Sequence, residues 1–197
     1  PSLRMYSCSY ASTGFLMLLI LITFQTVIPI RRNCDKPKDS GYNCVEAPSE
    51  PKQYFYYNPK WNACFAFKYL GCGGNENRFR TRSLCEQSCF YADGSACVVP
   101  GSSTKPLVSG EGCNDTVCPA EYECVYGFFP ECCNSTIRSE LMVSYAKKCP
   151  DGSAAGGVQG DYFMATFASS CSDLICESHQ HCVQVSKHFA KCCAKNY

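Results

Sequence analysis

Eighteen of the chain's 19 cysteines fall into three consecutive sets of six, and no other feature restricts the fold as severely. The sets are Cys34, Cys44, Cys64, Cys72, Cys85 and Cys89; then Cys97, Cys113, Cys118, Cys124, Cys132 and Cys133; then Cys149, Cys171, Cys176, Cys182, Cys192 and Cys193. About one residue in ten is a cysteine, a density found in small extracellular scaffolds whose bridges form in oxidising surroundings. The remaining cysteine, Cys8, precedes an apolar run at 14–24 that is the length of a signal-peptide core rather than of a membrane span. Residues 1–30 are therefore read as a signal peptide, with an uncleaved anchor ending near Arg31 as the alternative. Cleavage removes Cys8, leaves an even number of thiols and sends the chain outside the cell.

Charge excludes one class of partner. Eighteen Lys plus Arg against 17 Asp plus Glu give a formal net charge of +1, so no field of one sign covers the surface to recruit nucleic acid or anionic lipid. No membrane partner is expected once the signal is removed.

The second and third sets form an internal repeat. Both read C-x(n)-C-x4-C-x5-C-x(7 or 9)-C-C, and both place an Asp between the second and third cysteines, in C-N-D-T-V-C at 113–118 and C-S-D-L-I-C at 171–176. The stretch between the first two cysteines varies in length and is rich in Gly and Ser, which marks a surface loop. Neither repeat has room for a sizeable core of its own, so bridges are expected to carry much of its stability. Three separate modules are expected, at 31–92, 93–140 and 141–197.

The first module spaces its cysteines C-x9-C-x19-C-x7-C-x12-C-x3-C. Apolar and aromatic residues flank Asn58-Pro59-Lys60-Trp61-Asn62, which predicts a β-hairpin turned at Pro59, with Phe55, Tyr57, Phe65 and Phe67 as packing candidates. Of Tyr54, Phe55, Tyr56 and Tyr57, two are expected to face a small core. The segment 81–89 has helical spacing, with Thr81 as N-cap and Cys85 and Cys89 on one face.

This spacing, the run Phe55-Tyr56-Tyr57-Asn58-Pro59-Lys60, Phe67, and Gly71-Cys72-Gly73-Gly74-Asn75-Glu76-Asn77-Arg78-Phe79 resemble the Kunitz family of pancreatic-trypsin-type inhibitors, whose pattern is C-x8-C-x15-C-x7-C-x12-C-x3-C. The resemblance implies a small disulfide-rich α+β fold, a twisted β-hairpin plus C-terminal helix, here followed by two disulfide-stapled, loop-rich six-cysteine repeats. It also implies the bridges Cys34–Cys89, Cys44–Cys72 and Cys64–Cys85, among the fifteen pairings that six cysteines allow. In that family the residue after the second cysteine enters the specificity pocket of a serine protease. Carried over, Asn43, Cys44, Val45, Glu46 and Ala47 form the primary contact strand, supported by Tyr69, Leu70 and Gly71.

An uncharged β-branched Val45 suits the shallow pocket of an elastase-like enzyme and offers no cation to a trypsin-like Asp. The chain departs from the pattern by four extra residues between Cys44 and Cys64, falling within 45–54, by Glu46 after the scissile bond, and by Leu70 in place of a glycine. The first expectation is thus a secreted serine-protease inhibitor. The alternative, favoured by the insertion, is a non-inhibitory extracellular matrix or structural protein. A third, a toxin-like channel or receptor ligand, rests on Arg31, Arg32, Lys36 and Lys38 alone. The repeats resemble lustrin-type cysteine-rich repeats, through Cys-Pro-Ala-Glu-Tyr-Glu-Cys at 118–124 and the closing Cys-Cys, and these imply extracellular placement.

No catalytic constellation is present: there is no G-x-S-x-G, no H-E-x-x-H and no phosphate-cradling glycine loop. The paired cysteines with His179, His181 and His188 supply zinc-ligand types, but C-x2-C spacing is absent and oxidised cysteines do not ligate, so neither metal nor cofactor is expected. Two sequons make Asn114 and Asn134 candidate glycan sites.

Overall fold

The computed structural model describes residues 34–46, 48, 50–90 and 94–195. The signal segment 1–30, together with Arg31, Arg32 and Ala47, lies outside them.

At the centre stands an antiparallel hairpin of β2 (Lys52–Asn58) and β3 (Ala63–Tyr69). Pro59 supplies the fixed φ that starts its turn. Within that turn the Asn58 carbonyl accepts from the Trp61 N–H at 3.2 Å, and the Asn58 side chain accepts from the Lys60 N–H at 3.0 Å. Opposed residues share a face of a ladder. Because Phe55 lies opposite Ala66 and Tyr57 opposite Cys64, while Tyr56 lies opposite Phe65 and Tyr54 opposite Phe67, the aromatics divide between two faces.

The first face lies under α1 (Arg82–Cys89), capped by the Thr81 hydroxyl, which accepts from the Leu84 N–H at 3.1 Å. Cys85 and Cys89, one turn apart, reach Cys64 and Cys34. Asn77, fully buried, ties the chain's entry to this layer: its amide donates to the carbonyls of Cys34, Lys36 and Tyr57 and accepts from the Tyr57 N–H. With every polar atom paired, this buried amide specifies geometry without the penalty of an unsatisfied group.

The two cysteine repeats are built alike. The first pairs β5 (Ser103–Thr104), β7 (Pro130–Asn134) and β6 (Tyr122–Tyr126) in that spatial order. In the second, β8 (Gly157–Gln159) and β9 (Phe163–Ala165) form a separate ribbon, and β10 (Phe167–Ala168), β12 (Ala190–Ala194) and β11 (Gln180–Gln184) pair in the corresponding order. Bridges run Cys97–Cys133, Cys113–Cys124 and Cys118–Cys132 in one, and Cys149–Cys193, Cys171–Cys182 and Cys176–Cys192 in the other. Both therefore join first to sixth, second to fourth and third to fifth cysteine, as does the hairpin module through Cys34–Cys89, Cys44–Cys72 and Cys64–Cys85. Between the repeats runs α2 (Ser135–Tyr145), capped by the Asn134 side chain, which accepts from the Ile137 N–H at 3.0 Å.

The hairpin and the two repeats pack on one another. Residues Arg31–Tyr197 form one compact unit, and the second face of the hairpin is covered by the second repeat. Phe65 stacks on Phe189 with ring centroids 5.4 Å apart and meets Phe167 edge-on at 5.3 Å, and Trp61 meets Phe189 at 4.7 Å. Leu141 and Tyr145 of α2 and Val99 of the first repeat close the same cluster. Three of the four consecutive aromatics, Phe55, Tyr56 and Tyr57, are consequently buried, rather than two, and Tyr54 is half-buried. The physical reason is that a strand buried on both faces needs apolar residues at successive positions.

Two buried cations hold the layers together. Arg82 donates through Nη1 to the Ala165 carbonyl at 2.7 Å and through Nε to Glu86 at 2.7 Å, and its guanidinium lies over the rings of Tyr145 and Phe167. Lys191, with 0% exposure, donates to the carbonyls of Val143, Ala146 and Lys148 at the C-terminal end of α2. They lie at and just beyond the negative end of the helix dipole, where a cation is favoured. Burial still pushes the Lys191 ammonium down to about 8.

Candidate functional site

The candidate site is assembled from two short strands. β1 (Tyr42–Asn43) pairs antiparallel with β4 (Gly71–Cys72), Tyr42 opposite Cys72 and Asn43 opposite Gly71. Immediately beyond the ladder the Cys44–Cys72 bridge ties them together. Glycine is required at the crossing: Gly41 has φ +65°, and a Cβ there would lie 2.1 Å from the Cys72 carbonyl oxygen. Gly73, at φ +66°, similarly leaves room for the Tyr42 ring.

Val45 follows the bridge and is 90% exposed. A valine surrendering so much apolar surface to water, on a segment anchored by a disulfide, is displayed rather than packed. Glu46 beside it is exposed, as are Asn43, Pro48 and Glu50. Ala47, assigned to the same strand from the sequence, lies outside the described residues.

The supporting strand is held from behind. Tyr69 is buried, donates its hydroxyl to the Gly73 carbonyl at 3.0 Å, and carries the Arg78 guanidinium 3.9 Å above its ring. Arg78 donates to the same Gly73 carbonyl at 2.7 Å. Leu70 is half-buried and its N–H donates to the Ser40 carbonyl at 2.9 Å. Gly71, between Leu70 and Cys72, has φ +115°. Tyr69, Leu70 and Gly71 thus brace the strand that leads to Val45.

Sequence reasoning missed three polar residues that fix the feet of the displayed segment. Lys38, ahead of β1, forms an ion pair with both carboxylate oxygens of Asp173 at 2.8 and 2.9 Å. Gln53, at the start of β2, donates to the carbonyls of Phe67 and Asp173 at 2.9 and 3.0 Å and accepts from the Ile175 N–H at 2.7 Å. Only the Asp shared by both C-x4-C segments was a signal for any of them.

Among the described residues the site shows no nucleophile paired with a base, and it displays an uncharged side chain on a stapled backbone. All cysteines from Cys34 to Cys193 are bridged, and among the described residues no cluster of three or more His, Cys, Asp and Glu is placed to hold a metal ion. His179 lies near Glu177 on the surface, and His188 pairs with Glu140 at 2.8 Å. Asn114 is exposed, whereas Asn134 is half-buried at its helix cap. Among the described residues no helix is long and apolar enough to cross a membrane.

Comparison with known proteins gives the same outline. The Kunitz/Bovine pancreatic trypsin inhibitor domain matches residues 33–90. Over 171 residues, covering 83% of this chain and 87% of the other, the chain is 34% identical to Major allergen Ani s 1 of Anisakis simplex. It is 31% identical over 180 residues, covering 91% of this chain and 98% of the other, to BPTI/Kunitz inhibitor domain-containing protein C02F12.5 of Caenorhabditis elegans. Over 86 residues, covering 41% of this chain and 95% of the other, it is 41% identical to the Kunitz-type serine protease inhibitor homolog beta-bungarotoxin B1 chain, major component, of Bungarus multicinctus. The two long matches extend well beyond the hairpin module. The chain belongs to the Kunitz/bovine pancreatic trypsin inhibitor domain family, a family of inhibitors and not of enzymes.

Proposed function

We propose that the chain is a secreted inhibitor of a serine protease with a shallow, uncharged specificity pocket of the elastase kind. Val45 occupies that pocket, Asn43, Cys44, Glu46 and Ala47 lie along the cleft, and Tyr69, Leu70 and Gly71 support them. The observation that carries the reading is the 90% exposure of Val45 immediately after a bridged cysteine. A segment already held by a ladder, a disulfide and buried supports loses little conformational entropy on docking, which is the advantage of a substrate-mimicking inhibitor. An aliphatic side chain provides no cation for the Asp at the base of a trypsin-like pocket.

The test is inhibition of elastase, chymotrypsin and trypsin by oxidised residues 31–197, beside a Val45→Arg version. Elastase inhibition that passes to trypsin in the variant is the expected result. Absence of inhibition by both forms contradicts the reading.

One observation favours a second reading, a non-inhibitory extracellular matrix or structural role: four residues are inserted relative to the family spacing within 45–54, next to the displayed bond. In that reading the two repeats, of lustrin type, act as stapled spacers, with glycans at Asn114 and Asn134. Loss of both inhibitory activities in the assay above, with binding to matrix components retained, supports it.

A further inference from the structure

We propose that the C-S-D-L-I-C turn of the second repeat, residues 171–176, is a clamp on the displayed loop, with Asp173 as its positioning residue acting through Lys38 and Gln53. The inference deepens the protease-inhibitor reading and rests on it.

The chain enters the displayed region through Lys38 and leaves it through Gln53, at opposite ends of the segment that carries Val45. Both feet stand on Asp173, and Gln53 stands on Ile175 as well. The Asp173 carboxylate takes the Lys38 ammonium at 2.8 and 2.9 Å, its carbonyl takes the Gln53 amide at 3.0 Å, and the Ile175 N–H reaches back to the Gln53 side-chain oxygen at 2.7 Å. Gln53 thereby uses its acceptor and both donor directions, the remaining bond going to the Phe67 carbonyl. A primary amide engaged at every edge has one rotamer available to it, and the backbone that carries it is correspondingly fixed.

The platform is itself rigid. Cys171 and Cys176 bound the turn, and their bridges to Cys182 and Cys192 fasten it at each end to the β11–β12 hairpin. Asp173 and Leu174 donate their N–H groups back to Ser170 and Cys171, closing a 3-10 turn. Asp173 is buried while Lys38 is exposed, so the pair is worth less as stability than as register.

The first repeat shows that this use of the Asp is particular to the second. There the corresponding Asp115 closes its own turn, accepting from the N–H groups of Glu111 and Gly112 at 2.9 and 2.8 Å. Asp173 is instead turned to another part of the chain. In an inhibitor with four residues inserted in its displayed loop, an outside support at both feet replaces the tightness that the insertion removes.

The test compares Lys38→Gln, Gln53→Ala and Asp173→Asn in oxidised residues 31–197. Glu123→Gln, which breaks the exposed Arg138–Glu123 pair of the first repeat, serves as control. Amide exchange across residues 42–53 is measured alongside elastase inhibition and the rate of hydrolysis of the Val45–Glu46 bond. Lys38 lies at the surface side of its pair, so its replacement keeps the experiment decisive even where a buried substitution impairs folding.

The clamp predicts exchange about tenfold faster across 42–53, inhibition weaker by about tenfold and faster cleavage in the three variants, with the control unchanged. Unchanged exchange in folded Lys38→Gln and Gln53→Ala overturns the clamp whether or not the protein inhibits. Faster exchange in a protein whose unsubstituted form inhibits no protease supports the clamp and removes the inhibitor reading instead.

Discussion

Phe65 of the hairpin and Phe189 of the second repeat stack with their planes 16° apart, both fully buried, although they lie in different cysteine sets. This contact turns a hairpin that would otherwise present a row of aromatics to water into the middle layer of a larger core. Phe189 therefore carries a structural burden that its counterpart in the first repeat does not. Phe129 also precedes the first of the paired cysteines by three residues, yet is 62% exposed.

Replacing Phe189 by alanine should destabilise oxidised residues 31–197 by about 3–5 kcal/mol, the range for emptying a buried aromatic site. Phe129→Ala should change stability by no more than about 0.5 kcal/mol. Urea unfolding followed by tryptophan fluorescence measures both, because Trp61 contacts Phe189 directly. Equal effects of the two substitutions contradict the shared core.

The alternating aromatics made the hairpin legible and the helical spacing at 81–89 its helix, while the bridges and the position of Val45 were implied only by the resemblance to the Kunitz family. The cover on the second face of the hairpin was not legible. Unbroken apolar runs at 54–57 and 63–67 indicate two buried faces. Of the residues that supply the missing layer, Phe189 stands singly in a polar stretch, and Phe167, which alternates with Phe163 and Ala165, carries no mark of the surface it covers. At the site, Lys38 stood out only within a short basic cluster, Asp173 only as the Asp shared by the two repeats and Gln53 not at all, since a polar side chain carries no sequence mark of a distant partner.

Arg82 joins α1 to the second repeat through the Ala165 carbonyl and the faces of two rings. Arg82→Met should cost about 3 kcal/mol, since it leaves Glu86 and the carbonyl without their buried partner. Arg82→Lys should recover only part of this, because an ammonium lacks the planar surface that lies over Tyr145 and Phe167. Unfolding midpoints of the two variants under oxidising conditions decide the order.

Lys191 gives stability a defined alkaline dependence. Its ammonium is held near 8 in the folded chain against an ordinary value of 10.5. Below about 8 both states are protonated and the burial penalty is present in full. Between 8 and 10.5 the unfolded chain binds the extra proton, so this group's contribution favours folding increasingly as pH rises. Measured against Lys191→Met, wild-type stability should improve across that interval. A flat or falling difference contradicts the assignment.

The central claim is that a protease is met by two strands joined through Cys44–Cys72, with Val45 foremost. Amide exchange on the complex of oxidised residues 31–197 with elastase tests it most directly. The account predicts new protection confined to residues 42–46 and 70–72, with the repeats unchanged. Protection elsewhere, or none in those two strands under saturating enzyme, contradicts it.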